Sequence, residues 1–261
     1  HGIVPNEIMP GLNSGTDRHS HSEMEAGLKG YMDGILKSSN RKLTTGWKGG
    51  VEGILAAYLG AVPEKFTYKG VEYTPQSYLA SLPFNPSDYV DFTSWTHLSY
   101  YEKHPVEVAD NWRWEQAYNV PMDEMMKIID NAIENGYTVA WASDVSEPGF
   151  KYRKGYAVLP VDKEVPDLKG SDMDRWLQLS NKDREAEKWD IKGPVEEMVV
   201  TQEVRQQMFD NKETTDDHGM VIVGKAVDQK GNKYFKVQNS WDTNQLYGGF
   251  FYVSEAFFKA K

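Results

Sequence analysis

The sequence predicts a mixed α+β fold, because apolar residues at helical spacing fill its first quarter and three strand-like runs follow one another near its end. With 261 residues the chain is long enough for one large domain or two modest ones, and for a substantial core. Hydrophobic residues make up 39% and charged residues 26%, the balance of a globular protein and not of a disordered one.

The elements follow in order. Ser22 and Glu25 make a capping box, in which the serine accepts from exposed amides and the glutamate reaches back, so a helix is expected from Ser22. Its apolar set Met24, Leu28, Tyr31, Met32, Ile35 and Leu36 forms one stripe facing a core. A second amphipathic helix carries Trp47, Val51, Ile54, Leu55, Tyr58 and Leu59, with Gly60 placed to stop it. Short β-favouring runs around Lys69-Gly70 read as a hairpin, and Thr74-Pro75 as an N-cap followed by proline at the first helical position. Residues 81 to 121 are rich in aromatics without a period and read as a packed loop region.

Met122, Met125, Met126, Ile129, Ala132 and Ile133 restore helical spacing up to the Asn135-Gly136 stop, and Tyr137 to Trp141 reads as a buried strand. Residues 161 to 197 are charged and poor in aliphatics, a surface insertion in which Ser171 caps a short helix bearing Met173, Trp176 and Leu177. A last helix near Gln202 to Asn211 precedes a β-meander: Met220 to Val227, Lys233 to Gln238 after a Gly231-Asn232 turn, and Phe250 to Val253.

Composition narrows the partners. A net charge of −10 opposes binding to nucleic acid or to an anionic membrane, both of which need a basic face, and neither is expected as a partner. No run approaches the roughly 20 apolar residues that span a bilayer, and the start carries no secretory pattern. Cysteine is absent, so disulfides, thiolate metal sites and a cysteine nucleophile are excluded within these residues. His1 is not an initiator methionine and the end at Lys261 is abrupt, so both termini read as cuts in a longer chain.

Among the histidines His1, His19, His21, His97, His104 and His218, position singles out His218. It stands at the start of an apolar strand after Thr214-Thr215-Asp216-Asp217, and Asn239 stands at the end of the next strand in Gln238-Asn239-Ser240-Trp241. In an antiparallel pair the first residue of one strand lies beside the last of its partner, which brings an imidazole to a side-chain amide. Such a pair suits a cysteine peptidase: the imidazole takes a thiol proton while the asparagine oxygen fixes the ring. Trp241 is placed to cover that hydrogen bond from water. Taken alone, the pair reads more readily as a satisfied strand-end histidine and a turn asparagine.

Other constellations are weaker. His19 and His21 with Glu23 and Glu25 resemble a divalent-metal set, but solvated polar residues at a helix start explain them better, and no metal is expected. Asp110, Asp123, Glu124, Asp144, Asp172 and Asp174 offer carboxylates for a glycosidase, yet nothing pairs them. The aromatic residues Trp95, Tyr100, Tyr101, Trp112 and Trp114 suit a sugar or peptide groove less well than loop packing. No nucleotide loop or His-Glu-x-x-His segment occurs. Ser240 lacks the Gly-x-Ser-x-Gly elbow of a serine nucleophile.

Asp217-His218-Gly219-Met220, a Gly-Asn turn and Val237-Gln238-Asn239-Ser240-Trp241 together resemble the histidine and asparagine motifs of papain-like peptidases. The similarity is to the bleomycin hydrolase and aminopeptidase C group. It extends to Gly2-Ile3-Val4-Pro5, to Pro63 through Tyr68, and to Asn135 through Trp141 before Asp144-Val145. The resemblance implies a papain-like fold, α+β, with a helical layer packed on an antiparallel β-barrel-like sheet. Residues 1–136 would form its mostly helical part with the aromatic loop insertion, and residues 137–261 the β-rich part, with the charged insertion at 161–197.

It further implies a cysteine-type peptidase, aminopeptidase-like in its family habit, in which His218 and Asn239 are catalytic and Trp241 supports them. Peptides are the implied substrates, and no cofactor is implied. The family's cysteine and oxyanion-hole glutamine precede the Gly-x-Val-Pro segment, so a missing amino-terminal part would carry both and this cysteine-free chain alone would be inactive. A catalytically silent binding or scaffold protein that lost its nucleophile is the alternative. Asp242 stands where the family usually has glycine, and Gly219 where alanine is common. The family's carboxyl-terminal arm would lie beyond Lys261, so aminopeptidase specificity and a homo-oligomer rest on resemblance alone. Localisation is left open, the family being often cytoplasmic.

Overall fold

The structure, a computed structural model, describes residues 2–12, 15–17, 19–39, 42–83, 85–108, 111–161, 170–215 and 217–261. The chain forms two compact units, residues 1–88 and 89–261. The functional division expected at 136/137 falls inside the second unit, between a helix and the largest sheet.

In the first unit, helices α1 (Ser22–Leu36) and α2 (Gly46–Leu59) pack on each other. Gly50 permits their approach, since a Cβ there would collide with the Tyr31 ring. The expected stripe of α1 is turned inward from Met24 to Ile35, whereas Leu36 is exposed. The expected capping box does not form: Ser22 is already helical and His21 is the N-cap, without a side-chain cap bond. Gly60, at φ 88°, ends α2 in a conformation that a Cβ would disfavour. Strands β1 (Phe66–Tyr68) and β2 (Val71–Tyr73) pair antiparallel across Lys69 and Gly70. Both turn residues have positive φ, the geometry of a tight hairpin. Thr74 then caps α3 (Pro75–Ser81) in a complete capping box with Ser77.

The second unit starts with a correction. The segment read as aromatic loop contains a three-stranded sheet of β3 (Phe92–Thr93), β4 (Lys103–Pro105) and β5 (Gln116–Asn119), in the order β3-β5-β4. Strands this short leave no period in a sequence and are held from outside it. Fully buried Asn119 accepts from the Trp95 amide at 2.7 Å and donates to the carbonyls of Trp95 and Leu98. Loop packing of the aromatics holds for buried Trp95, while Trp112 and Trp114 are 78% and 64% exposed.

Helix α4 (Met122–Glu134) ends at Gly136, where the amides of Gly136 and Tyr137 bond back to Ile133 and Ala132 in a Schellman arrangement. Then come β6 (Val139–Ser143), β7 (Phe150–Lys151), β8 (Tyr156–Ala157), α5 (Ser171–Gln178), α6 (Asn181–Lys188) and α7 (Gln202–Asp210). Strands β9 (His218–Val227), β10 (Lys233–Gln238) and β11 (Phe250–Ser254) form the expected meander, and α8 (Glu255–Ala260) follows, capped by Ser254. The strand expected at Tyr137 begins two residues later, with Tyr137 exposed. Gly170, not Ser171, is the N-cap of α5.

The large sheet runs β6-β9-β10-β11-β8-β7. It departs from an antiparallel barrel in two ways: β11 and β8 pair parallel, and the sheet is open, with β6 and β7 at its edges. Alternate residues Met220 and Ile222, Phe235 and Val237, and Phe251 and Val253 point to one core. Met125, Met126 and Ile129 of α4 and Phe257 and Phe258 of α8 cover it. The sheet's helical cover within this unit is thus α4 and α8.

Candidate active site

Position along the sheet brings His218 and Asn239 together, though not as direct partners in register. His218 pairs with Ser143 of β6, and Gln238, one residue before Asn239, pairs with Val221. A bulge between Lys236 and Val237 shifts the register by one residue, and the two side chains bridge the remaining diagonal. His218 Nε2 lies 2.8 Å from Asn239 Oδ1. A carbonyl oxygen can only accept, so Nε2 carries the hydrogen and Nδ1 of the neutral ring holds the lone pair. Nδ1 makes no hydrogen bond among the described residues.

Asn239 is buried, which places this bond where a low local dielectric strengthens it. Its Nδ2 is buried with no hydrogen-bond partner among the described residues. Trp241 covers one face of the imidazole, its ring centroid 5.0 Å from that of His218. The indole is 49% exposed, so it shields the pair from one side only. Phe150 and Tyr152 meet the Trp241 ring edge-on at 5.8 and 5.2 Å, and the Tyr152 hydroxyl donates to the backbone oxygen of Asp242. The carboxylate of Asp242 accepts from the Asn244 amide at 2.8 Å, so it shapes its own turn.

Two side chains that the sequence did not single out for this site fasten the start of β9. Asp144, only 4% exposed, accepts from the amide and hydroxyl of Thr215, and Asp217 accepts from the Val145 amide at 3.0 Å. Asp144 was visible only as one of several unpaired carboxylates and, with Val145, as a landmark of resemblance, and nothing in the spacing ties it to Thr215, 71 positions away. Phe150 and Tyr152 left no signal, lying in two-residue strands and a single turn.

The other candidates fall elsewhere. His19 and His21 have ring centroids 5.4 Å apart, and no group of three or more metal-ligating side chains is found among the described residues. His97 bonds Gln206 and stacks on Phe209, and His104 bonds the Ser99 carbonyl. Asp123 and Glu124 lie in the first turn of α4, with Glu124 bonded to Tyr101, while Asp172 and Asp174 lie in the first turn of α5. His1, Asp110 and Asp216 lie outside the described residues. Among the described residues no helix is long and apolar enough to cross a membrane.

Residues 169–260 match the Peptidase C1-like family, a span that contains His218, Asn239 and Trp241. The fold matches that of PepW from Lactobacillus rhamnosis HN001 (DR20), solved as the selenomet derivative, with a TM-score of 0.64 and 21% sequence identity. The match covers 100% of this chain and 57% of that one, so the chain spans less than two thirds of that protein's length. No curated protein matches the sequence.

Proposed function

We propose, from the match of residues 169–260 to the Peptidase C1-like family, that this chain supplies the general base and its orienting amide to a papain-like cysteine peptidase of the bleomycin hydrolase and aminopeptidase C type. The observation that carries this reading is the 2.8 Å contact from His218 Nε2 to Asn239 Oδ1, which leaves Nδ1 basic and without a partner among the described residues.

Since the chain holds no cysteine, the thiol must come from a segment outside these 261 residues, together with a glutamine for the oxyanion. In the reaction, His218 Nδ1 takes the thiol proton, and the thiolate attacks the carbonyl carbon of a peptide bond. The resulting imidazolium is held by Asn239 and gives its proton to the leaving amine as the tetrahedral adduct collapses to an acyl-thioester. Water then attacks the thioester with His218 again as base, releasing the acid and the thiol. In this reading residues 1–136 form the helical part of the papain-like fold, and residues 137–261 the part that bears His218 and Asn239. Peptides are the substrates, and attack from their amino termini is the family's habit.

The absence of cysteine also favours a second reading, a silent scaffold that has kept the fold and lost the nucleophile. The coding sequence ahead of His1 separates the two: a Gln-x5-Cys-Trp type segment supports the peptidase, and a complete gene without one rejects it. In the complete protein, His218→Ala is expected to lower peptide hydrolysis by a factor on the order of 10³ or more, and thiol alkylation to abolish it. Full activity in His218→Ala would reject the role given to that residue.

A further inference from the structure

The antiparallel ladder between β6 and β9 ends at the Ser143–His218 pair. Beyond it no strand pairing is found for the described residues that lead into His218. Their place is taken by crossed side-chain bonds. Asp144, the residue after β6, accepts from the Thr215 amide at 3.1 Å and the Thr215 hydroxyl at 3.2 Å through Oδ2. Its Oδ1 accepts from the Ser146 amide at 2.8 Å and the Ser146 hydroxyl at 2.7 Å. In the opposite sense Asp217 reaches across to the Val145 amide.

A buried carboxylate is costly unless its lone pairs are satisfied, and Asp144 has four donors around two oxygens. Only a carboxylate can accept at both ends. The isosteric amide has one oxygen and would turn an NH2 group toward one of the two donor pairs. The bonds to Thr215 span two strand ends, so they set the path of the chain three residues ahead of the imidazole. The bonds to Ser146 fix the carboxylate that does so.

We infer that Asp144 is a positioning residue for His218, clamping Thr215 so that the imidazole meets Asn239. The catalytic consequence rests on the proposed role of His218 as base, whereas the geometric one does not.

The test is nuclear magnetic resonance of the histidine-labelled full-length protein. The Nε2 proton of His218, bonded to Asn239, should give a slowly exchanging resonance that disappears in His218→Ala. In Asp144→Asn that proton is expected to exchange at least about tenfold faster, with a smaller acceleration in Thr215→Val, which keeps the Thr215 amide bond and loses only the hydroxyl. If Asp144→Asn does not fold, Thr215→Val and Ser146→Ala carry the test, because each removes one donor and leaves the carboxylate. Unchanged exchange in every folded variant overturns the inference.

Turnover is the second readout. Asp144→Asn should lower kcat by about 10- to 100-fold with KM nearly unchanged, the mark of a misplaced base, whereas general loosening of the fold would change the melting temperature without that split. An active His218→Ala protein would reject the peptidase reading and leave the resonance result standing. Unchanged exchange beside an inactive His218→Ala would reject the clamp and leave the reading standing.

Discussion

Among the described residues of the first compact unit, Met24 and Phe66 are buried in its interior, whereas in the second unit Ile222, Val237, Phe251, Val253 and Phe257 have no accessible surface. Both units are built of regular elements, yet they are held in different ways. The helices and hairpin of the first depend on local devices: the Gly60 stop, the Lys69-Gly70 turn and the Thr74 capping box. The sheet of the second depends on residues far apart in the chain, with β6 pairing β9 and β8 pairing β11. His218 and Asn239 stand at the ends of such long-range pairings, which suits a pair that must keep a fixed geometry.

The sharpest way to break this contrast is to empty the larger core. Phe251 touches Phe150 and Tyr152 edge-on at 5.2 and 5.8 Å, and those two rings also brace Trp241. Phe251→Ala should cost about 3–5 kcal/mol in urea unfolding and disturb Trp241, visible as a shift in its fluorescence. Leu55→Ala, on the partly buried face of α2, should cost less, about 1–2 kcal/mol, because part of that side chain's apolar surface stays in water in the folded chain. Equal losses at the two positions would mean that the two units are stabilised alike.

A smaller effect probes the local side. Thr74 accepts from the Ser77 amide at 3.1 Å and the Ser77 hydroxyl oxygen accepts from the Thr74 amide at 2.8 Å. Thr74→Ala removes one of these bonds and should cost about 1 kcal/mol. Faster amide exchange should be confined to α3 and the adjoining β2, with the amides of β9 to β11 unchanged. Acceleration in the large sheet would show that the two units unfold together.

The same contrast explains what was legible in the sequence. Gly60, Asn135-Gly136 and Thr74-Pro75 act within a few residues, so the ends of α2 and α4 and the start of α3 could be read directly. Ser22 showed the limit: a capping sequence was present, but the helix starts one residue early and leaves Ser22 inside it. The His218–Asn239 pair was legible because two long alternating strands joined by a Gly-Asn turn bring their outer ends together. The bulge between Lys236 and Val237 was not, since it depends on how two strands settle against each other. Strands β3, β7 and β8 have two residues each and exist only through their partners. Asp144 could be named but not placed, because its partner Thr215 lies across the sheet edge.

The smallest effect concerns a buried acid in the second unit. Glu197 Oε2 accepts from the Leu159 amide at 2.7 Å and from the Ser254 hydroxyl, tying the end of β11 to the segment after β8. Burial holds its carboxyl above the usual carboxylate range, outweighing these two bonds, which favour the charged form. The folded state therefore binds this proton more tightly than the unfolded chain. Stability from this group is full below the unfolded carboxylate pKa and is lost as pH rises through the higher folded value. Above that value it stays constant. Glu197→Gln keeps an oxygen to accept from Leu159 and Ser254 but cannot titrate, so the difference in unfolding free energy between wild type and variant should change across this window and level off above it. A difference that stays the same from pH 4 to pH 8 would mean that Glu197 binds its proton equally in both states, and that burial in this unit does not reach its carboxyl.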